Sequence, residues 1–474
     1  MIWFIGATYL YILQIGLVLF LGFRNPTKTM AWLTITYVFP LLGFLLYFIM
    51  AKDYRMSPPL SRRYAKMPIL SSQLTEHIQV SRWNHFPGRH KSRQNRLLGY
   101  MQSIPEAPLT ECNEILVYNN GEETFEAIIH ALNQAEHHIH MEYFIIRNDQ
   151  IGRQIQQVLR EKAKQGIEVR LMVDGLGSHE LKFGYLDELK QAGVHVQIFS
   201  PLRKSLLRKQ VNYRNHRKII VIDGLTGFLG GINIGDEYLG RSSKFGFWRD
   251  THMRIRGDAV FFLQHTFLND WQSVNGDQIA TRQLYPPHGC VGQAKIQLIP
   301  SGPDTDSDAI HEFYFSAFNA SHHSISIISP YFIPDRSLLM ALKTAALSGV
   351  EVKIIIPEIE DHFLVKWAAY SYMEELMLAG VRFFTYMKGF IHAKIVIIDR
   401  TLASVGTANM DMRSLFDNFE LNAAIFDEKT INRLVRDFQE DLTNSKEIRL
   451  AEFCNRPLLQ KGKEIIARMV SSLL

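Results

Sequence analysis

The stretch Asn215-His216-Arg217-Lys218-Ile219-Ile220-Val221-Ile222-Asp223 decides the fold, because the chain writes it twice. About 176 residues later stands Ile391-His392-Ala393-Lys394-Ile395-Val396-Ile397-Ile398-Asp399. Each copy holds His-x-Lys, a gap of four apolar residues and Asp. After six intervening residues comes Gly-x-x-Asn, with Gly230 and Asn233 in one copy and Gly406 and Asn409 in the other. On a strand, side chains alternate between faces, so His216 and Lys218 share one surface, as do His392 and Lys394. The β-branched run behind each pair reads as a strand buried on both faces, which puts the polar pair where the sheet opens into a cleft. One His-x-Lys is an incidental polar pair; two in register indicate a site.

The duplication extends beyond the motif. Ala135-Glu136-His137-His138 pairs with Ala320-Ser321-His322-His323, and Tyr143-Phe144-Ile145 with Tyr331-Phe332-Ile333. Gly166-Ile167-Glu168-Val169-Arg170 matches Gly349-Val350-Glu351-Val352-Lys353, and Ala192-Gly193-Val194 matches Ala379-Gly380-Val381. Phe125, Ile128, Ile129 and Leu132 follow helical spacing, residues 139–146 read as a strand, 151–164 as a helix ended by Gly166, and 169–173 as another strand. The predicted fold class is α/β, an internal duplication with halves at 106–290 and 291–474. Neighbouring residues on a strand point to opposite faces, so neither His137-His138 nor His322-His323 is expected to hold a metal; both read as helix-to-strand connections.

Two apolar runs precede the duplication, 2–23 and 30–50, separated by Arg24-Asn25-Pro26-Thr27-Lys28-Thr29. Their lengths predict a transmembrane hairpin over residues 1–50. The first run lacks the basic leader and small-residue cleavage site of a signal peptide. Lys52, Arg55, Arg62, Arg63 and Lys66 outnumber Arg24 and Lys28, so the positive-inside rule places everything after residue 50 in the cytoplasm. Residues 51–105 read as a basic juxtamembrane linker resting on anionic head groups. Arg203-Lys204-Ser205-Leu206-Leu207-Arg208-Lys209 mixes cations with leucines, as a loop meeting the same surface would.

A chain of 474 residues with 47% hydrophobic content has room for more than one domain. Its net charge of +5 is a modest excess that by itself fits an anionic membrane surface, nucleic acid or neither; nuclease activity is disfavoured because nucleic-acid binders usually carry a stronger basic excess and have no need of a membrane hairpin. Cys112, Cys290 and Cys454 are few, odd in number and far apart, and read as buried reduced thiols, not as a disulfide framework or zinc site.

The paired motifs resemble the H-x-K-x4-D motifs of the phospholipase D superfamily, in which two halves face each other across one active site. The resemblance implies a phospholipase D-like fold and a phosphodiester exchange through a phosphohistidine, with His216 as nucleophile and His392 as general acid and base. Lys218, Lys394, Asn233 and Asn409 would stabilise charge on the non-bridging oxygens, with no metal or other cofactor. Asp223 and Asp399 complete the catalytic motifs in a role more structural than chemical. In this superfamily a carboxylate about 28 residues after the motif histidine orients its ring; Glu420 stands at that spacing from His392, and Asp250 is the first-half candidate. One departure is Gly231, where the second copy has Thr407 and the superfamily often has Ser or Thr.

Further segments narrow the resemblance to the bacterial cardiolipin synthases. They are the hairpin with Arg24-Asn25-Pro26, Gly230-Gly231-Ile232-Asn233-Ile234-Gly235-Asp236-Glu237-Tyr238, Trp248-Arg249-Asp250-Thr251-His252, Ser301-Gly302-Pro303-Asp304 and Asn409-Met410-Asp411-Met412-Arg413-Ser414. The implied reaction joins two phosphatidylglycerol molecules into cardiolipin and releases glycerol at the cell membrane. A membrane phospholipase D, or a phosphatidyl transferase with another acceptor alcohol, is the alternative.

Overall fold

The computed structural model describes residues 2–22, 26–50, 91–181, 183–201, 212–276, 279, 282–305 and 307–473. The loop at 203–209 and the stretch 51–90 lie outside these described residues. The first half supplies strands β1 (Leu109–Asn120), β2 (His138–Tyr143), β3 (Glu168–Asp174), β4 (His195–Phe199), β5 (Ile219–Ile222), β6 (Thr226–Gly230) and β7 (Phe247–Gly257). The second supplies β8 (Ala294–Ser301), β9 (Ser324–Ile328), β10 (Phe332–Ile333), β11 (Glu351–Pro357), β12 (Arg382–Tyr386), β13 (Gly389–Ile391), β14 (Ile395–Ile398), β15 (Leu402–Gly406), β16 (Met410–Asp411), β17 (Glu420–Ile425) and β18 (Ser445–Glu447).

Fifteen of these strands run in the order β18-β12-β11-β9-β14-β15-β17-β8-β1-β7-β6-β5-β2-β3-β4, β13 adds to β7, and β10 pairs with β16. Read outward from the β8–β1 junction, β17, β15, β14, β9, β11 and β12 answer β7, β6, β5, β2, β3 and β4. The sequence duplication is therefore a two-fold repeat of one sheet, whose two motif strands, β5 and β14, hold equivalent places.

The motif strands show why all four residues of each gap are apolar. Ile220 and Ile222 of β5 face a core built with helices Gly121–Asn133, Gln150–Lys164 and Phe183–Gln191, whereas Ile219 and Val221 face the core under helix Ala259–Asn275. In β14, Val396 and Ile398 pack with helices Ala309–Ala320, Arg336–Leu347 and Phe363–Leu378, while Ile395 and Ile397 face helix Glu428–Thr443. Each half is thus an α/β/α sandwich, a form of the α/β class expected. The core beneath the motif strands runs unbroken from one half into the other.

Asp223 and Asp399 close the turns that follow β5 and β14, with φ of +55° and +50°. Aspartate tolerates this left-handed backbone and offers a carboxylate to nearby N–H groups. Asp223 accepts from the backbone of Glu136, His137 and His138 at 2.7–2.9 Å, and Asp399 from His322, His323 and Ser324 at 2.7–2.8 Å. The histidine pairs are therefore helix-to-strand connections clamped through their main chain. These bonds also correct the repeat alignment: Glu136 answers His322, one residue beyond the match made on the histidines. The bridge of Ile146 to Ile234 and of Phe332 to Met410 likewise matches Ile145, not Tyr143, to Tyr331.

Three other expectations change. Cys112 and Cys290 are joined in a disulfide, and only Cys454 is free. The pairing of β1 with β8, which brings Asn113 opposite Ala294, closes the 178-residue separation that hid the bond from the sequence. The end of the expected linker forms helix Lys91–Ser103, which buries Leu97 and Met101 in the second-half core. The second apolar run is not one span. Helix Pro26–Val38 stops and helix Pro40–Met50 folds back on it, so that Trp32 and Tyr47 meet with ring centroids 5.6 Å apart. Pro40 has no N–H to continue the ladder and its ring obstructs the preceding turn. The first run does form one helix, Ile2–Gly22. Among the described residues, no helix is long and apolar enough to cross a membrane, so the expected transmembrane hairpin is not found there.

Candidate active site

Each motif histidine is placed by the opposite half. The His216 N–H donates to the Phe419 carbonyl at 2.9 Å, and the His392 N–H donates to the Arg249 carbonyl at 2.7 Å. The next residues are Glu420, opening β17, and Asp250, in β7. Consequently His216 Nδ1 lies 2.9 and 3.0 Å from the two Glu420 oxygens, and His392 Nδ1 lies 2.8 Å from Asp250 Oδ2. The spacing along the chain located both carboxylates but gave each to the histidine of its own half; the structure exchanges them. With Nδ1 occupied by a carboxylate, Nε2 of each ring is the nitrogen left for chemistry.

The site is deeply buried: His216 and His392 retain 9% and 8% of their exposure, Lys218 none and Lys394 2%. Lys218 Nζ donates to the His216 carbonyl at 2.7 Å. Lys394 Nζ donates to the His392 carbonyl at 2.6 Å and stands 3.0 Å from both nitrogens of that ring. Burial lowers Lys218 to about 7 against the pull of Glu420, and Lys394 to about 8 against Asp250. Burial likewise takes His216 down to about 4 despite Glu420, and lowers His392, helped by Lys394. Burial alone would raise Glu420 and Asp250, but the imidazoles and lysines outweigh it and hold both below the usual carboxylate range. Without substrate, the site therefore holds two neutral imidazoles, each against an ionised carboxylate.

The Gly231 departure has a steric reason. The Thr407 hydroxyl donates to Glu420 Oε2. At Gly231 a Cβ would fall 2.1 Å from Asp250 Oδ1, so the position of the hydroxyl is filled by the carboxylate itself. Asp250 takes the Thr251 N–H at 2.7 Å instead. Thr with Glu on one side and Gly with Asp on the other fill similar space.

Asn233 is held at both ends, accepting from the Ile145 N–H at 3.2 Å and donating to the Tyr238 hydroxyl at 3.3 Å. Asn409 donates to the Ser414 hydroxyl at 3.3 Å, and its buried Oδ1 has no hydrogen-bond partner. Asp223 and Asp399 are not brought into the site. Each lies five residues beyond its lysine, about 16 Å along the strand, with its carboxylate spent on the backbone. Arg217, which the sequence reading passed over, is buried between His216 and Lys218 and pairs with Asp270. It also donates to the Glu420 carbonyl at 3.0 Å and the Ser301 carbonyl at 3.2 Å, tying the first motif to the second half. Alternation would have flagged it, since an arginine between two cleft-facing residues points into the core and needs a counterion.

Two imidazoles held by ionised carboxylates, each with a buried lysine on its own carbonyl, define a phospholipase D-like phosphodiester transferase. A phosphatidylserine synthase from Haemophilus influenzae shares the fold, with a TM-score of 0.61 and 15% identity over 81% of this chain and 100% of its own. A polyphosphate kinase from Porphyromonas gingivalis aligns with a TM-score of 0.51 and 12% identity over 71% of this chain and 49% of its own. The family described as "Cardiolipin synthase, PLD-like domain" matches residues 128–245 and 314–442, and "Phospholipase_D-nuclease N-terminal" matches 10–51. A cardiolipin synthase from Geobacillus kaustophilus is 44% identical over 98% of this chain and 92% of its own length. The major cardiolipin synthase of Bacillus subtilis is 38% identical over 98% and 97%. The chain belongs to the bacterial cardiolipin synthase family of the phospholipase D superfamily.

Proposed function

We propose that the chain is a phosphatidyl transferase that joins two phosphatidylglycerol molecules into cardiolipin and glycerol. The exchange of carboxylates between the halves carries the reading, because it occupies Nδ1 of both buried imidazoles and leaves Nε2 without a carboxylate partner on either ring. His216, whose depressed pKa keeps it neutral, attacks phosphorus through Nε2 and forms a phosphatidyl-histidine. The arriving phosphate monoanion favours a proton on His392, which passes it to the departing glycerol oxygen. The hydroxyl of the second phosphatidylglycerol then returns a proton to His392 and attacks phosphorus, and the bond to His216 breaks. Glu420 and Asp250 stabilise the imidazolium that forms on each ring, while Lys218, Lys394 and Asn409 face the charge on the non-bridging oxygens.

The substrate implies a membrane, and the N-terminal helices support one. Tyr9, Ile12, Leu13 and Phe20 of helix Ile2–Gly22 are exposed, as are Leu458, Leu459, Ile465 and Ile466 of helix Leu458–Val470, which packs against helix Pro26–Val38. Apolar surface of this extent needs a cover, and an anionic bilayer supplies it. The cations that follow residue 50 favour the cytoplasmic face for the catalytic region.

The test is a product assay on purified protein in vesicles containing phosphatidylglycerol, with a chelator present. Cardiolipin and glycerol in equal amounts are expected. Phosphatidic acid without cardiolipin would make the chain a hydrolase.

A further inference from the structure

Resting on the membrane reading above, we propose that residues 26–50 dip into the bilayer and return to the face from which they entered. The two arms are helices of 13 and 11 residues, about 20 and 16 Å long against roughly 30 Å of hydrocarbon. They turn back at Val38-Phe39-Pro40, as the Trp32–Tyr47 contact and the approach of Gly43 to the Ile35 carbonyl show. Two backbone bonds hold the turn: the Phe39 N–H donates to the Ile35 carbonyl and the Gly43 N–H to the Phe39 carbonyl. The tip is apolar and open, with Tyr37 75%, Phe39 57%, Leu41 71% and Leu42 56% exposed. The base is tied to the catalytic region, where Lys28 Nζ sits 2.5 and 2.7 Å from the Asp417 oxygens. A bilayer fits that tip, because the cations flanking it, Arg24 and Lys28 before and Lys52 and Arg55 after, then share one face. A hairpin of two spans would put the first pair across the membrane from Asp417.

The experiment uses the full chain with its three cysteines replaced by serine and checked for cardiolipin formation. Single variants Arg24→Cys and Lys52→Cys are labelled in intact spheroplasts with a membrane-impermeant maleimide, then again after permeabilisation. Both positions are expected to react only after permeabilisation, and reaction on opposite faces would overturn the proposal. An environment-sensitive fluorophore on Leu41→Cys should shift to the blue in anionic vesicles. Its failure to shift would also overturn the proposal, and neither readout depends on which lipid the enzyme uses.

An independent observation concerns the alcohol. The bridges of Phe332 to Met410 and of Ile146 to Ile234 match Tyr331, beside the Asn409–Met410 segment, to Ile145 in the first half. Equivalent places in the two halves therefore differ: an isoleucine at one, and at the other a tyrosine whose hydroxyl donates to Asp361. Asp361 and Asp411 both bear on the Lys394 ammonium, which stands 3.0 Å from the His392 ring. In-line displacement puts the leaving and the entering alcohol on the side away from the nucleophile, beside the acid and base.

We infer that Tyr331 and Asp361 form the subsite for the glycerol head group, both as it leaves the first lipid and as it enters on the second. The inference rests on His392 being the acid and base. A carboxylate recognises a polyol by accepting its second hydroxyl, which a simple alcohol lacks. The test is transfer from a phosphatidyl p-nitrophenol donor, whose leaving group has no second hydroxyl, to glycerol or to methanol in Tyr331→Phe and Asp361→Asn. The ratio of the KM for glycerol to the KM for methanol is expected to rise about tenfold or more. Equal losses with both alcohols would reduce the pair to a structural role, and no change with either would remove it from the site. A lost phosphatidyl-enzyme would instead count against the mechanism proposed above.

Discussion

Replacing Glu420 by Gln and Asp250 by Asn separates the two histidines, because each change acts across the boundary between the halves. Each substitution keeps shape and burial but removes the charge paired with Nδ1 at 2.8–3.0 Å. A hydrogen bond to a charged group contributes about 1.5–3 kcal/mol, so each variant should lose roughly 10- to 150-fold in kcat with phosphatidylglycerol. The informative comparison uses a phosphatidyl p-nitrophenol substrate, whose leaving group departs without a proton. Its release in a stopped-flow burst reports attack on phosphorus alone. Asp250→Asn weakens the acid, so its burst should return to within a few-fold of the parent, whereas Glu420→Gln weakens the nucleophile and should stay slow. The opposite pattern, with Glu420→Gln rescued and Asp250→Asn slow, would refute either the exchange of carboxylates or the choice of nucleophile. The residue that carries the phosphatidyl group decides which.

Gly231→Ala places a Cβ 2.1 Å from Asp250 Oδ1, and relieving that overlap must move the carboxylate away from His392. Overpacking of this kind costs about 1–3 kcal/mol, so a lower melting temperature should accompany a loss of at least tenfold in activity; wild-type turnover would contradict the packing argument. The pH dependence follows from the lysines. Their pKa values are lowered to about 7 and 8, so the ammonium charge is present at lower pH and is lost as pH rises through that window. In kcat/KM, which reports the free enzyme, the alkaline limb should therefore fall between about pH 7 and 8, and a flat profile to pH 9 would exclude these lysines as the source of charge. Cys112 and Cys290 test the placement of the catalytic region. A cytoplasm keeps thiols reduced, so alkylation in intact cells followed by peptide mapping should find both modified, with their disulfide forming only in purified protein; a pair protected in cells would place the region on the outer face.

Much of the site was legible because its information is local. His-x-Lys followed by four apolar residues fixes a strand buried on both faces, and two copies fix a two-fold sheet with two cleft-facing pairs. The partners of the histidines were not legible, since a spacing counted along the chain does not say which neighbouring strand lies across the ladder. Phe419 and Arg249 receive the histidine N–H groups because Asn215 bridges Phe419 and β13 pairs with β7, each across the boundary between the halves. The Cys112–Cys290 pairing was hidden for the same reason. The break at Pro40 was legible and was passed over, because overall apolarity outweighed one residue that cannot continue a helix. Tyr331 was misaligned by two residues with Tyr143, and only the bridges beside it match it to Ile145 and show that the two halves differ there.

The central claim is that one imidazole, His216, carries the phosphatidyl group while His392 moves the proton. Its most direct measurement is acid-quenched trapping of the enzyme with phosphatidylglycerol, followed by proteolysis and mass spectrometry of the histidine peptides. The account predicts a phosphatidyl group on the peptide holding His216, accumulating in His392→Ala when the p-nitrophenol substrate supplies the donor. The modification on His392, or turnover without any modified histidine, would contradict it.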